Sequence, residues 1–396
     1  MRQAFLALVL AFALPVAACT SVVDGAAVQA TGGPAQSGID ADKLDVGPYP
    51  TTPREALGVA GDPRLGLILE AQRMANNVIG PWEVDPALTA PFGFGALVLT
   101  SPEAMMLIGP TQYAQVVGRH NFVNGFASAR TVENKKLLMN AVLRFADEAS
   151  ATQAAADLGD GAMNQESLDG QPQKQPIPGH PEALAATYTA LDRQVGRFTA
   201  VQSFTAHGPY VLMQQAQSTD GADPAAQLVG KILDLQLPEI DRFRATDPSE
   251  FADISIDPTG LLARTIPVDE QQATVTQNTT YERRGALHFQ NDPVRSAKLF
   301  SDTGTDLVAM AKTNVYETQD ADSAAKIVDG FAAELEPTSQ PANAVRNMPD
   351  SRCLQFEDGA FYCLATADRY AIEVSAPKLL DAQQLTAAQH VMLTSG

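Results

Sequence analysis

One order of elements occurs twice along this chain, and that constrains its fold more than any single motif. Residues 137–147, "LLMNAVLRFAD", read as a strand and 148–159, "EASATQAAADLG", as a small-residue helix. The same pair returns in "DLVAMAKTNVYET" (306–318) and "ADSAAKIVDGFAAEL" (321–335), where Ala324, Ile327, Val328, Phe331 and Leu335 share one helical face at steps of three and four. Each pair is followed by a hairpin. "GRFTAVQSFTAHGPYVLMQQA" turns at His207-Gly208-Pro209, and "GAFYCLATADRYAIEVSA" turns at Ala367-Asp368-Arg369, with Tyr210 and Tyr370 opening the second strand of each. A helix closes each unit: "DPAAQLVGKILDLQL", with Asp223 expected as N-cap and Pro224 at the first position, and "LDAQQLTAAQHVML" (380–393). Segments from 101 and 292 supply a further helix in front. The expected fold is α+β: two similar halves, each an antiparallel sheet with helices packed on one face.

The chain punctuates itself around these units. Residues 44–244 are expected as the first domain, 245–282 (rich in Asp, Pro, Thr and Gln) as a linker, and 283–396 as the second domain. A 159–182 insertion inside the first domain is expected as a mobile surface loop. In the second domain Cys353 and Cys363 flank "CLQFEDGAFYC", whose Asp358-Gly359 signals a hairpin turn. A three-residue loop of Glu357, Asp358 and Gly359, with Gly359 left-handed, sets the cysteines directly opposite each other; a two-residue loop offsets them by one. A structural disulfide is expected, since the spacing fits no Cys-x-x-Cys redox or zinc site.

At the other end, Met1-Arg2-Gln3 precedes about ten apolar residues, too few to span a bilayer, and the run ends in Val16-Ala17-Ala18-Cys19. This resembles the lipobox of bacterial lipoproteins. The resemblance implies a signal peptide over 1–18, diacylglyceryl attachment to Cys19, and a cell membrane or envelope location outside the cytoplasm; the plainer reading is an ordinary signal peptide with a chance cysteine. Two acyl chains suffice for stable anchoring where one is marginal. Residues 19–43, small and polar after the cysteine, are expected as a disordered tether holding the body roughly 25–30 Å from the lipid.

Charge narrows the partners. The full chain carries −19, and cleavage after Ala18 leaves 26 Lys+Arg against 46 Asp+Glu, or −20. Such a surface repels nucleic acids and anionic head groups, so no nucleic-acid partner is expected.

The runs "LDVGPYPTTPRE" (44–55), "EAQRMANNVIGPWEVDPALT" (70–89), "FTAHGPYVL" (204–212) and "GALHFQNDP" (285–293), behind that lipobox, resemble an actinobacterial lipoprotein family of unknown function found in mycobacterial and rhodococcal relatives. The likeness covers most of the mature chain and implies no reaction, substrate or catalytic residue. The repeat is also similar in architecture to extracellular sensor domains of actinobacterial receptor kinases.

Catalytic chemistry finds little footing. The histidines at 120, 180, 207, 288 and 390 show no His-x-x-x-His or His-Glu-x-x-His spacing, so no metal site is expected. A Gly-x-Ser-x-Gly elbow and a phosphate-cradling loop are both missing, and "GFGAL" (93–97) lacks the third glycine and helix of a dinucleotide site. His207, near Ser203, reads as a hairpin tip. No catalytic residue and no cofactor are expected. Trp82, the sole tryptophan, could line a ligand groove or plug a seam, and Tyr210 and Tyr370 are the other binding candidates. Three functions remain: a tethered carrier of an apolar or amphiphilic envelope molecule, such as a lipid or glycolipid; a non-catalytic interaction or sensor module for another envelope protein; and an envelope hydrolase with an unrecognised constellation.

Overall fold

In the computed structural model, which describes residues 38–192 and 196–395, the apolar runs form two seven-stranded antiparallel sheets. The chain runs through α1 (Pro63–Met74), α2 (Pro81–Val84), β1 (Ala90–Leu99), α3 (Thr111–Arg119), β2 (Phe122–Val132), β3 (Lys136–Phe145), α4 (Glu148–Ala162), β4 (Gln173–Lys174), β5 (Leu184–Asp192), β6 (Gly196–His207), β7 (Tyr210–Ser218) and α5 (Ala222–Ile240). It continues through β8 (Thr279–Glu282), α6 (Arg283–Leu287), α7 (Pro293–Thr303), β9 (Leu307–Met310), β10 (Asn314–Glu317), α8 (Ala321–Leu335), β11 (Ser339–Ala342), β12 (Arg352–Phe356), β13 (Phe361–Ala367), β14 (Tyr370–Ala376) and α9 (Leu379–Thr394). The first sheet has the order β1-β2-β3-β7-β6-β5-β4, the second β8-β9-β10-β14-β13-β12-β11. Adding seven to every strand of the first gives the second. The repeat is therefore topologically complete, including edge strands that the sequence reading did not resolve.

Local chemistry repeats with it. Asp147 caps α4 by accepting the Ser150 N–H at 2.7 Å, and Asp320 caps α8 by accepting the Ser323 N–H at 2.8 Å, so each strand-to-helix corner satisfies the same free amide. The last helix of the first half departs from expectation: α5 opens at Ala222, with Gly221 at φ 109° as its cap, and Asp223 lies inside the first turn.

Helices cover both faces of each sheet, where one face was expected. In the first sheet Leu137, Met139, Ala141 and Leu143 face α4, while Leu138 and Val142 join the core under α5. In the second, α8 packs with Leu364 and Ala371, and α9 packs against Ala365, Ile372 and Val374. Alternation fails as a signal here because both side-chain sets are apolar, as in any strand covered twice. The α5 face of the first sheet and the α8 face of the second share one continuous core, closed by Trp82, Phe126, Tyr281 and Phe300.

The 245–282 stretch is packed rather than a free linker. A 3-10 turn, Pro248–Asp253, lays Phe251 onto α1 beside Leu69, where the Phe251 carbonyl oxygen would sit 1.8 Å from a Cβ at position 66; glycine alone fits there. Glu70, fully buried, accepts the Thr246 N–H at 2.7 Å and pairs with Arg144 at 3.0 Å, which fixes the start of the segment. Further on, Leu261, Leu262 and Ile266 enter the second core, and Thr279–Glu282 is its edge strand. The 159–182 insertion is likewise held: Ile177 is buried in the core, and the buried His180 lies between Glu182 Oε1 (3.2 Å) and Asp234 Oδ1 (3.0 Å) of α5.

The β12–β13 hairpin takes the three-residue loop, with Gly359 at φ 87°, Phe356 N–H donating to Ala360 O at 2.9 Å, and Cys353 directly opposite Cys363. The two form a disulfide, with a Cα–Cα distance of 4.1 Å that matches the close, non-hydrogen-bonded kind of cross-strand pair. Replacing both by serine is expected to lower unfolding free energy by roughly 2.5 kcal/mol, the loop-entropy value for so short a closed loop. Denaturant midpoints of wild type, reduced wild type and double variant measure this.

Candidate functional site

The strongest candidate site begins as an irregularity of β1. Pro91 pairs with Arg130 and Ala96 with Ser128, so residues 92–95 of "PFGFGA" bulge from a sheet edge that keeps its pairing on either side. The bulge exists because Gly93 and Gly95 take φ of 58° and 71°, values that cost a glycine nothing. It carries Phe92 and Phe94 outward, 50% and 69% exposed, over the α4 side of the first sheet.

Beneath it lies a groove of about 270 Å³ whose floor crosses the strands through Ala127, Met139, Gln215, Gln202 and Tyr188, and whose far wall is Leu107–Pro110. Among the described residues no charged side chain lines it. The Tyr113 hydroxyl donates to Gln202 Oε1 at 2.6 Å and accepts from Gln165 Nε2 at 3.3 Å. This relay fixes the Gln202 amide and leaves its N–H2 end as the donor a ligand can use. Burial raises the Tyr188 phenol above its ordinary value, so that hydroxyl stays protonated. The groove thus offers aromatic faces, aliphatic floor and neutral amide or phenol groups. Such a set stacks rings and hydrogen-bonds hydroxyls.

On the corresponding face of the second sheet the cavity shrinks to about 70 Å³ and turns acidic, with Glu334, Glu373, Tyr316 and Tyr362 in its wall. Tyr316 donates to Glu373, and burial raises both carboxyl groups above the usual range. The repeated scaffold therefore holds two different chemistries.

The three candidate binding side chains lie elsewhere. Trp82 is in the core between the halves: its ring meets His288 edge-on at a 5.1 Å centroid distance, and the Arg130 guanidinium sits over it at 5.5 Å. Tyr210 and Tyr370 are buried at equivalent positions, but on the α5 and α9 faces, opposite the grooves, and in separate sheets. Tyr370 accepts from Arg264 Nη1 at 2.9 Å. Cys19, the expected lipid-attachment site, lies outside the described residues.

The histidines serve separate contacts. His120 meets Asp157 at 2.8 Å, His207 meets Asp241 at 2.6 Å, and His390 Nδ1 faces the Thr366 carbonyl at 2.8 Å. His288 Nδ1 does lie 2.9 Å from Ser128 Oγ, but both residues are enclosed, and Nε2 faces the carbonyls of Ala75 and Val78 rather than a carboxylate. Ser203 is buried in β6, and its Oγ makes no hydrogen bond to His207 or to any other described residue. Among the described residues no cluster of three His, Cys, Asp or Glu could hold a metal, and no helix is long and apolar enough to cross a membrane.

What the sequence reading missed was Phe92 and Phe94. Their signal was two glycines inside a strand-like run, which marks a bulge more often than a nucleotide loop.

The extracellular domain of PknH from Mycobacterium tuberculosis is a solved structure similar to 40% of this chain and 91% of its own, at 15% identity and a TM-score of 0.27. A score that low carries no argument here. No curated protein matches the chain. Residues 57–256 match the N-terminal part, and residues 261–396 the C-terminal part, of a domain of unknown function, DUF7373. The junction falls just ahead of Leu261, so the first matched unit includes the turn that packs on α1 and the second includes β8. With both parts matched in tandem over most of its length, the chain belongs to the DUF7373 family.

Proposed function

We propose that this protein is a lipid-anchored, extracytoplasmic binding protein of an actinobacterial envelope that holds a neutral amphiphile, such as a glycolipid, in the first-half groove. The observation that carries the reading is the groove's wall: mainly aromatic and aliphatic, uncharged among the described residues, with Gln165, Gln202, Gln215 and Tyr188 as its hydrogen-bonding side chains. A volume of about 270 Å³ lies just below the usual range for drug-sized ligands, so the groove takes one ring or one chain segment and leaves the rest of the molecule outside. The anchor rests on Val16-Ala17-Ala18-Cys19; Cys19→Ala should release the protein or leave its precursor unprocessed, and unchanged membrane association would remove that part of the reading.

Native mass spectrometry of protein purified from its own envelope tests the ligand. A discrete added mass that disappears on denaturation is expected. Joint replacement Phe92→Ala and Phe94→Ala should weaken its retention roughly tenfold to a hundredfold, since each stacked ring contributes about 0.5–1.5 kcal/mol. The melting temperature should hardly move, because both rings stand in solvent. Exposure of Phe92 and Phe94 on one side of the groove and of Leu107 on the other also favours a second reading, docking of another envelope protein. A bare mass together with a crosslink to one partner, lost in the same variant, would select it.

A further inference from the structure

A second, larger cleft lies away from that groove, between α1, the arm that precedes it and the 267–278 segment. Its volume is about 840 Å³, and Leu57, Leu65, Ile68, Leu69, Leu262 and Val275 make its apolar wall. Two polar side chains in that wall are incompletely satisfied. Gln72 is 3% exposed; its Nε2 donates to the Val275 carbonyl at 2.8 Å, while its Oε1 has no partner among the described residues. Arg54 is pinned by its backbone N–H to Ala263 O at 2.9 Å and by Nη2 to Leu262 O at 2.6 Å and Thr265 O at 3.5 Å, and its buried Nε–H has no partner among the described residues. A buried amide oxygen or guanidinium N–H without a protein partner is costly, and in native structures an ordered water, an ion or a ligand completes most such groups.

Arg54 is the one cation lining the cleft, and it makes no ion pair among the described residues. Asp257, whose charge reaches it, is occupied by the Ala263 N–H at 2.7 Å. A guanidinium edge of this kind suits a carboxylate. Asp269 and Glu270, also in the wall, oppose groups with more than one negative charge. Gln72 Oε1 asks for a donor, and the aliphatic wall for a chain.

We propose that this cleft binds a monocarboxylate amphiphile bearing an N–H or O–H near its head, with the carboxylate on Arg54, the donor on Gln72 Oε1 and the chain along α1. The site is independent of the groove under the β1 bulge and can fail or stand without it.

N-oleoylglycine carries all three features. Its methyl ester lacks the charge, and N-oleoylsarcosine lacks the N–H. Calorimetric titration of the full chain with each is expected to give one N-oleoylglycine per protein, with the ester at least tenfold weaker and the sarcosine several-fold weaker. Arg54→Gln should abolish the preference for acid over ester, and Gln72→Leu should abolish the preference for glycine over sarcosine. The Phe92→Ala, Phe94→Ala variant should keep both. Failure to bind N-oleoylglycine, equal affinity for the ester, or an acid preference that survives Arg54→Gln overturns the proposal; tighter binding of oleylamine does so as well. Should Arg54→Gln not fold, the acid-to-ester ratio on the wild-type chain decides alone.

Discussion

Truncating Trp82 to alanine is expected to lower unfolding free energy by about 3–5 kcal/mol, the range for deleting a large aromatic side chain from a packed core. The ring is enclosed at 5% exposure, with His288 on its edge and Arg130 over its face, and the Gly80 backbone lies so close that a Cβ there would sit 2.3 Å from it. Arg130, the neighbour over the ring face, is held back from the space because it is itself tied to the carbonyls of Thr89 (2.9 Å) and His288 (2.5 Å). Urea titration followed by far-ultraviolet circular dichroism measures the loss, since the variant has no tryptophan to report. A loss under 1 kcal/mol, with the bound mass gone, would return Trp82 to the ligand-binding residues.

Acid should open the same seam. His288 is pushed down to about 3 from an ordinary 6.5, chiefly by burial and secondarily by the charge of Arg130. The folded state therefore holds it neutral, whereas the unfolded chain takes up the proton below about 6.5. This contribution to stability is complete above pH 6.5 and is lost progressively as the pH falls towards 3. Between pH 7 and pH 4 the linkage amounts to about 3 kcal/mol. His390, shifted down by burial, adds a smaller effect of the same sign. Stability measured at half-unit steps should fall steeply over this interval in wild type and much less steeply in His288→Gln. Parallel slopes in the two proteins would refute the assignment.

The repeat was legible because each half spends its apolar residues in the same order of elements. The cysteine hairpin was legible because Asp358-Gly359 determines a turn, and the turn determines the register. Coverage of both sheet faces was written in the sequence too: "LLMNAVLRF" is apolar at nearly every position, and β3 is buried at every position but its first. An unbroken run of that kind means two covered faces. The seam had no such marker. Arg130 and His288 are 158 positions apart, and neither sits in a pattern that calls for the other. The groove was hidden for the opposite reason, since the glycines that build it interrupt the alternation by which a strand is recognised.

The shared core joins unlike surfaces of like units: the last-helix face of the first half meets the first-helix face of the second. That is a head-to-tail union, and head-to-tail unions do not close on themselves. If both copies had kept identical faces, a third could stack on either end, and the product would be a filament. The described halves leave one outward end each. On the first half that end is the α4 face, where the β1 bulge and its phenylalanines lie across the surface a third copy would need. The same four residues that frame the groove thus also break up that surface, and straightening them by replacing Gly93 and Gly95 is expected to abolish the groove.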